Sequence, residues 1–455
     1  MAEASNPTIS ANKTDMKGLK TSLIYVTALF FIWAFVTNLV DPLIKSMKVI
    51  YHLNMFVAML TQFAFFLGYF VMSLPSAWLL SKLGYAKSIV IGLSGIVLGC
   101  VIAWATIFSH QYTTVLIGLF TCAAGITMLQ VAANPLIASM GDAKSSHFRL
   151  NLSQAFNSLG AFCGGMFGAN FLLKGELFQK NVVITDALKA EGLTFVTNVY
   201  IEIAAVLAVF TLAVFLIRNA VTKHAPQIVE HAPSPFKALT SKWANLGSLA
   251  IFLYVGAEVV VISGMLFFLE QEQILNVPSQ VAGKIAPFFM LLAMIGRFGG
   301  SMLLKYFKAT NMLVFVAIGA AVLSSVVILT NSPTAHPLGG SVNLFGYMTP
   351  ITTGFIPAIA AIFIGLFNSI MFPTIFTITL ERSTAPASAT SGLMCMAIFG
   401  GGVLPPIYGL VADMTGSKSL AFVVPLVCYL YVLWYAFAAK KAPIHAIEEG
   451  VASGH

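Results

Sequence analysis

Asp41, Glu202, Glu258 and Arg297 each stand inside a strongly apolar stretch of this 455-residue chain. A charge in hydrocarbon is costly, so ionisable residues at membrane depth usually face a bundle interior or a water-filled cavity and mark the path of an ion or substrate. Asp41 lies in the first apolar segment of the N-terminal half and Glu258 in the first of the C-terminal half. That placement suits a carrier with a polar site between two halves. Asn38 and Asp41, three apart, share a helix face, and Pro42 follows directly and loosens the helix. A carboxylate beside an amide and a helix break can accept a proton, coordinate sodium or hold a sugar hydroxyl. The plainer alternative is an acid at the headgroup level near Lys45 and Lys48. Tyr254 and Glu258, four apart, share a face of a segment that is apolar on both sides of the acid. A carboxyl that cannot easily reach water is suited to carrying a proton; a structural acid bonded to another helix is the alternative.

Neutral amides form stripes. Thr127, Gln130 and Asn134 are spaced three and four, and Asn151, Gln154, Asn157 and Ser158 three, three and one. Both patterns follow a helix face. Amides present donors and an acceptor together, the mixture that sugar hydroxyls need, and polar bonding between helices is the competing use. Asn368 and Phe372-Pro373-Thr374 add an amide and a second helix break, and Trp33, Tyr254 and Phe372 are candidate platforms for the apolar face of a sugar. Arg297 is placed near one end of its segment, as a helix-end anchor or one member of a gate ion pair. Glu202 receives no role.

These residues need a membrane to position them. The composition is 58% hydrophobic and 9% charged, with mean hydropathy +0.90, against about a quarter charged in soluble proteins. The net charge of +8 forms no dense patch, which excludes nucleic acid as the partner and fits charges flanking membrane spans. Five cysteines fall within predicted spans without a CxxC pair, so packed thiols are expected rather than a disulfide framework or a zinc site. The first apolar run is as long as a full span and lacks a clear small-residue cleavage site, so no removed signal peptide is read.

A span needs about 20 mostly apolar residues. That ruler predicts twelve, at about 21–46, 55–81, 87–108, 112–140, 148–173, 194–218, 245–269, 281–304, 311–330, 354–381, 388–411 and 418–439. With the N-terminus assigned to the cytoplasm, sixteen Lys and Arg fall inside and seven outside, Arg297 apart, which places both termini inside. The polar stretch 219–244 divides the spans six and six, giving an N-terminal bundle at 1–218, a cytoplasmic linker at 219–244 and a C-terminal bundle at 245–455. The stretch 174–193 reads as an extracellular loop or short surface helix. Weak repetition relates the halves: Gly118-Leu119-Phe120 and Gly365-Leu366-Phe367 occupy spans 4 and 10, and Gly68-Tyr69-Phe70 and Gly296-Arg297-Phe298 occupy spans 2 and 8. Parallel halves around a midplane site are the architecture of major facilitator transporters. The expected fold is all-α, with twelve transmembrane helices in two six-helix bundles.

Longer motifs sharpen this. Leu129-Gln130-Val131-Ala132-Ala133-Asn134-Pro135 resembles a signature of the fucose–galactose–glucose:cation symporter family, and His147-Phe148-Arg149-Leu150-Asn151-Leu152-Ser153-Gln154-Ala155-Phe156-Asn157-Ser158 resembles its next conserved-type segment. Tyr254-Val255-Gly256-Ala257-Glu258, Ile295-Gly296-Arg297-Phe298, Phe372-Pro373-Thr374-Ile375-Phe376 and Gly400-Gly401-Gly402 continue the match, in order, through all twelve spans. The resemblance implies sugar uptake by alternating access, driven by a co-transported proton or sodium, with no other cofactor. The family's fucose–proton symporters carry acids in spans 1 and 4. Here Asp41 matches the first, Gln130 replaces the second, and Glu258 stands where the fucose type has glutamine, as in the glucose/galactose branch. The usual span-1 Asn-Asp pair is here Val40-Asp41, with Asn38 nearby.

The expectation is therefore a multi-pass protein of a bacterial inner membrane, a monomer, importing a neutral monosaccharide such as glucose or galactose. Asp41 and Glu258 are its coupling acids, with sodium possible near Asp41. Asn38, Gln130, Asn134, Gln154, Asn157, Tyr254, Asn368, Trp33 and Phe372 are its sugar contacts, and Arg297 a gating residue. Uptake of fucose or of an N-acetylated amino sugar is the alternative within transport. A sugar sensor that moves nothing is the alternative outside it. A membrane enzyme lacks support, since the chain shows no metal-ligand cluster, activated nucleophile or soluble catalytic domain.

Overall fold

The computed structural model describes residues 13–139, 146–174, 176–178, 185–223, 235–304, 306–330, 332, 334–385 and 387–444. Twelve helical spans follow one another: α1 (Lys13–Thr37, resumed at Val40–Ile50), α2 (Met55–Leu83), α3 (Tyr85–Trp104, resumed at Thr106–Ser109), α4 (Tyr112–Ser139), α5 (Ser146–Phe171), α6 (Asp186–Lys223), α7 (Lys242–Leu269), α8 (Ser279–Ile285, resumed at Phe288–Leu303), α9 (Ala309–Leu329), α10 (Phe355–Asn368, resumed at Met371–Arg382), α11 (Ala387–Ala397, resumed at Gly400–Thr415) and α12 (Val423–Lys440). Among the described residues, eleven of them contain an apolar window long enough to cross a bilayer, and α5, which carries the Gln154–Asn157 stripe, is not one of these. Many large apolar side chains point outward, among them Val209, Leu216, Phe315 and Trp434. That is the surface hydrocarbon requires.

Close helix packing sets the frame. On α3 and α4, a Cβ on Gly99 would lie 2.4 Å from the Cys122 nitrogen, and one on Gly125 2.5 Å from the Gly92 carbonyl oxygen. The two backbones touch, as small residues allow in membranes. The same contact joins α5 to α1, where a Cβ on Gly160 would meet the Phe31 carbonyl oxygen at 2.3 Å. Between the halves, α2 packs on α11, α5 on α8, and the second segment of α1 on α7.

Two interruptions have one cause. A proline ring clashes with the carbonyl four residues earlier. Pro42 thereby disturbs Asn38, where α1 breaks, and Pro373 disturbs Ser369, where α10 breaks.

The structure differs from the sequence reading in three places. Residues 186–193 belong to α6 rather than to a loop or a separate surface helix; Thr185 caps the helix through Leu188 N at 3.3 Å, and Lys189 pairs with Asp186 at 3.0 Å. Helix also occupies both ends of the stretch read as linker, through Lys223 and from Lys242, while residues 224–234 lie outside the described residues. Between α9 and α10 stands an unanticipated antiparallel hairpin, β1 (Pro337–Leu344) and β2 (Tyr347–Thr352). Its tip residue Phe345 packs on Phe288 of α8, ring centroids 6.2 Å apart. All five cysteines are free thiols, with the sulfurs of Cys100 and Cys122 3.8 Å apart.

Candidate functional site

The break in α1 opens onto a cleft lined by Asn38, Asp41 and Pro42, by Ala161 and Gly165 of α5, by Ile262 and Leu266 of α7, and by α8 from Gly283 to Met290. Asp41 is the cleft's carboxylate. Its Oδ1 accepts from the Gln62 amide of α2 at 2.8 Å and from the Ser263 hydroxyl of α7, and the same Gln62 nitrogen donates to Ser263 Oγ at 2.7 Å. Gln62 is 4% exposed and Ser263 1%. One acid of the N-terminal half thus hydrogen-bonds to both halves. The groups described around Oδ1 donate hydrogen bonds to it, an arrangement that serves the carboxylate without a metal ion. Asn38 turns its amide back to the Ala34 carbonyl of its own helix at 2.9 Å.

A second cluster forms where α7, α8, α10 and α12 meet. The Tyr254 hydroxyl donates to the Asn368 carbonyl oxygen at 3.0 Å, and Asn368 Nδ2 donates to Tyr429 Oη at 3.0 Å. Asn368 is fully buried, and its Oδ1 has no hydrogen-bond partner among the described residues. Glu258 lies beside the Tyr254 hydroxyl and in the field of Arg297. Arg297 Nε reaches the Ser369 carbonyl at 3.4 Å, the group that Pro373 displaces from the helix ladder, and Nη1 reaches Ser158 Oγ of α5 at 3.0 Å. Arg297 ties the break in α10 to the opposite half.

The N-terminal amides occupy a third zone. Gln130 Nε2 donates to Tyr69 Oη at 3.2 Å, and that hydroxyl also meets Thr37. Asn157 donates to the Phe30 carbonyl oxygen at 3.2 Å. Gln154 is half-buried on α5. The side chains of Asn134 and Asn151 lie outside the described residues.

The aromatic expectations divide. Phe372 is half-buried, with its ring centroid 6.4 Å from that of Tyr254. Trp33 is only 4% exposed and packs on Phe30 with centroids 4.2 Å apart, so its indole face is covered rather than open as a platform. Tyr254 is likewise buried, which leaves it a hydrogen-bonding role more than a stacking one. Glu202 is exposed on α6, away from these clusters.

Sequence reasoning missed Gln62, Tyr69 and Ser263, and it missed a charged seam. On the face opposite the start of α1, Lys45 pairs with Glu270, while the Asp413 carboxylate of α11 accepts from Met55 N at 3.2 Å and Phe56 N at 2.9 Å, capping α2 across the halves. An acid at a helix N-terminus satisfies free N–H groups and favours the dipole.

An apolar twelve-helix frame holding half-buried acids and amides between two halves defines a membrane carrier rather than an enzyme. Residues 26–390 match the Major Facilitator Superfamily. The chain is 34% identical over 442 residues to the glucose/galactose transporter of Brucella abortus biovar 1, covering 96% of this chain and 98% of that one. It is 31% identical over 425 residues to the L-fucose-proton symporter of Escherichia coli K12, covering 90% and 91%. The solved structure of the major facilitator transporter FucP in the outward conformation aligns with TM-score 0.63 at 27% identity, covering 93% of this chain and 100% of that chain. The chain belongs to the major facilitator superfamily, and within it to the fucose–galactose–glucose:cation symporters.

Proposed function

We propose that this carrier imports a neutral monosaccharide, glucose or galactose by the likeness to its relatives, in symport with a proton. The observation that carries the reading is the cleft at the α1 break. A half-buried carboxylate stands there between the halves, with uncharged amides on the neighbouring α4 and α5 and no basic side chain among the described lining residues. Asp41 and Glu258 are the coupling acids. Asn38, Gln130, Asn134, Gln154 and Asn157 serve the sugar hydroxyls, with Tyr254, Asn368 and Phe372 on the other side. The donors around Asp41 and the Arg297 charge near Glu258 support a proton over sodium: both acids already have partners that stabilise their anions without a metal.

The N-terminal bundle runs to Lys223 and the C-terminal bundle from Lys242, both termini face the cytoplasm of a bacterium, and the face bearing Lys45, Glu270 and Asp413 is the periplasmic one. Gln130 in place of the second acid, and Glu258 in place of glutamine, favour glucose or galactose over fucose or an amino sugar. Uptake into proteoliposomes under imposed proton or sodium gradients, with a panel of monosaccharides, tests the reading. Accumulation of one neutral sugar driven by the proton gradient is expected. Binding without accumulation would make the protein a sensor.

A further inference from the structure

Asp41, Gln62 and Ser263 form a closed hydrogen-bonded triangle. Gln62 Nε2 lies 2.8 Å from Asp41 Oδ1 and 2.7 Å from Ser263 Oγ, two acceptors close enough together to share its donor side. Ser263 has one hydroxyl hydrogen, and it goes to Asp41 Oδ1. With Asp41 ionised the amide nitrogen faces the acid, since an amide oxygen there would oppose the carboxylate lone pairs. This arrangement suits Oδ1 as a pure acceptor. A proton on Oδ1 would have to displace the Ser263 hydrogen. A proton on Oδ2 would turn two charge-assisted bonds into neutral ones, which are about half as strong. Two of the three corners, Asp41 and Gln62, belong to the N-terminal half; Ser263 alone belongs to the C-terminal half.

We infer that Ser263 is the residue through which the ionisation of Asp41 draws α7 onto α1 and holds the far face shut, and that protonating Asp41 releases it. The inference rests on the reading of Asp41 as a coupling acid. The surroundings favour Asp41 as the group in control. The cleft walls from α5 (Ala161, Gly165) and α8 (Ala286, Pro287, Met290) are uncharged. Beyond Asp41 toward the far face, the charged groups are Lys45 and Lys48 on α1 and Glu270 at the end of α7, with Glu258 before Ser263 on the near side; the remaining charges of the two helices (Lys13, Asp15, Lys17, Lys20 and Lys242) lie at their opposite ends. Lys45 is paired with Glu270, Glu258 faces Arg297, and Lys48 is acted on by Asp413 and Lys45. Lys418, in the turn before α12, adds its charge to the Lys45–Glu270 patch. Ser263 brings no charge of its own, so its removal alters the response to Asp41 without altering that electrostatic frame.

The test is a distance measurement in the full-length carrier in liposomes, with spin labels at His110 and Thr334, exposed positions in the far-face loops of opposite halves. In the otherwise unaltered protein the far face is expected to be closed at high pH and to open as pH falls. Ser263→Ala should lower the closed-to-open ratio at high pH by about tenfold, the loss of one charge-assisted hydrogen bond, and flatten the pH response. Ser263→Thr, which keeps the hydroxyl, should restore both. A Ser263→Ala protein with an unchanged pH response overturns the inference. Asp41→Asn separates the two claims. If Asp41→Asn is blind to pH while Ser263→Ala responds normally, Asp41 remains the coupling acid and only the role of Ser263 falls. If Asp41→Asn still responds normally, both fall.

Discussion

Lys45 of α1 and Glu270 of α7 form an ion pair across the seam between the halves, one helical turn beyond Asp41. The side chains are 12% and 16% exposed, and the Lys45 ammonium also sits 5.2 Å from the Phe267 ring centroid. Removing one member of such a pair strands the other charge and typically costs about 3–5 kcal/mol. Glu270→Gln is expected to lower the melting temperature and open the far face, whereas Lys45→Met combined with Glu270→Leu should do less damage than either change alone. A double-mutant cycle on thermal unfolding checks this, with an expected coupling on the order of 1–3 kcal/mol. Simple additivity would show that the pair does not act as one.

Asp41→Asn and Glu258→Gln separate binding from coupling. Each is expected to preserve sugar counterflow, which needs no net proton movement, and to abolish gradient-driven accumulation. Measuring both in the same vesicles decides the matter. Uphill uptake by both variants with normal pH dependence would remove these acids from the coupling step. If only Asp41→Asn fails, Glu258 belongs with the sugar contacts.

Gln154→Ala and Asn157→Ala should each weaken sugar binding about fivefold, the loss of roughly 1 kcal/mol for one well-made hydrogen bond. Calorimetric titration or counterflow affinity reads the effect. Because Asn157 also donates to Phe30 on α1, its variant should lose some thermal stability as well, and Gln154→Ala should not.

Gly160 has no room for a side chain. A Cβ there would lie 2.3 Å from the Phe31 carbonyl oxygen and 2.9 Å from the carbonyl carbon. Gly160→Val must push α5 off α1, at a cost of about 1–3 kcal/mol or more for an overpacked contact. A clear drop in melting temperature is expected; an unchanged value would mean the two helices are not held this closely.

The topology has a direct check. A cysteine replacing His110 should react with an impermeant thiol reagent from outside the cell. A cysteine replacing Lys237 should react only after permeabilisation. Labelling of both from one side contradicts two six-helix bundles with cytoplasmic termini.

The bilayer made most of the fold legible, because a span must be long and apolar wherever it lies. The two prolines carried more than the loosening read from them. Counting four residues back from Pro42 and Pro373 locates both breaks, and with the second the carbonyl that Arg297 takes. The hairpin was hidden because its tip is unusual. Phe345 has φ 53°, with Gly346 at φ 92° and Asn343 Oδ1 accepting from Gly346 N at 2.7 Å; a bulky residue rarely takes that conformation, so Phe-Gly is a poor turn signal. The site was half legible. Acids in apolar runs announce themselves, but their partners do not. Asp41 meets Ser263 at a separation of 222 residues, and Arg297 meets Ser158 at 139. No local pattern relates residues joined only when two bundles dock. Ser263 and Gln62 look in sequence like ordinary polar residues of a span.

The polarity of α5 bears on how the protein is made. A helix enters the bilayer from the translocon on its own apolarity, and α5, interrupted by His147, Arg149, Asn151, Gln154 and Asn157, shows no apolar window of the required strength among its described residues. The amides that suit it to the cleft leave it poorly equipped to stay in lipid alone. Gly160 and Gly164 supply a remedy, since both sit against the backbone of α1 near Phe31 and Phe35. During synthesis α1 is already in place when α5 emerges, and a groove-to-backbone fit lets the later helix settle against protein instead of hydrocarbon. Biogenesis and transport then draw on the same contact: damage to the α1–α5 interface should reach the cell first as a missing protein, before any change in its turnover can be measured.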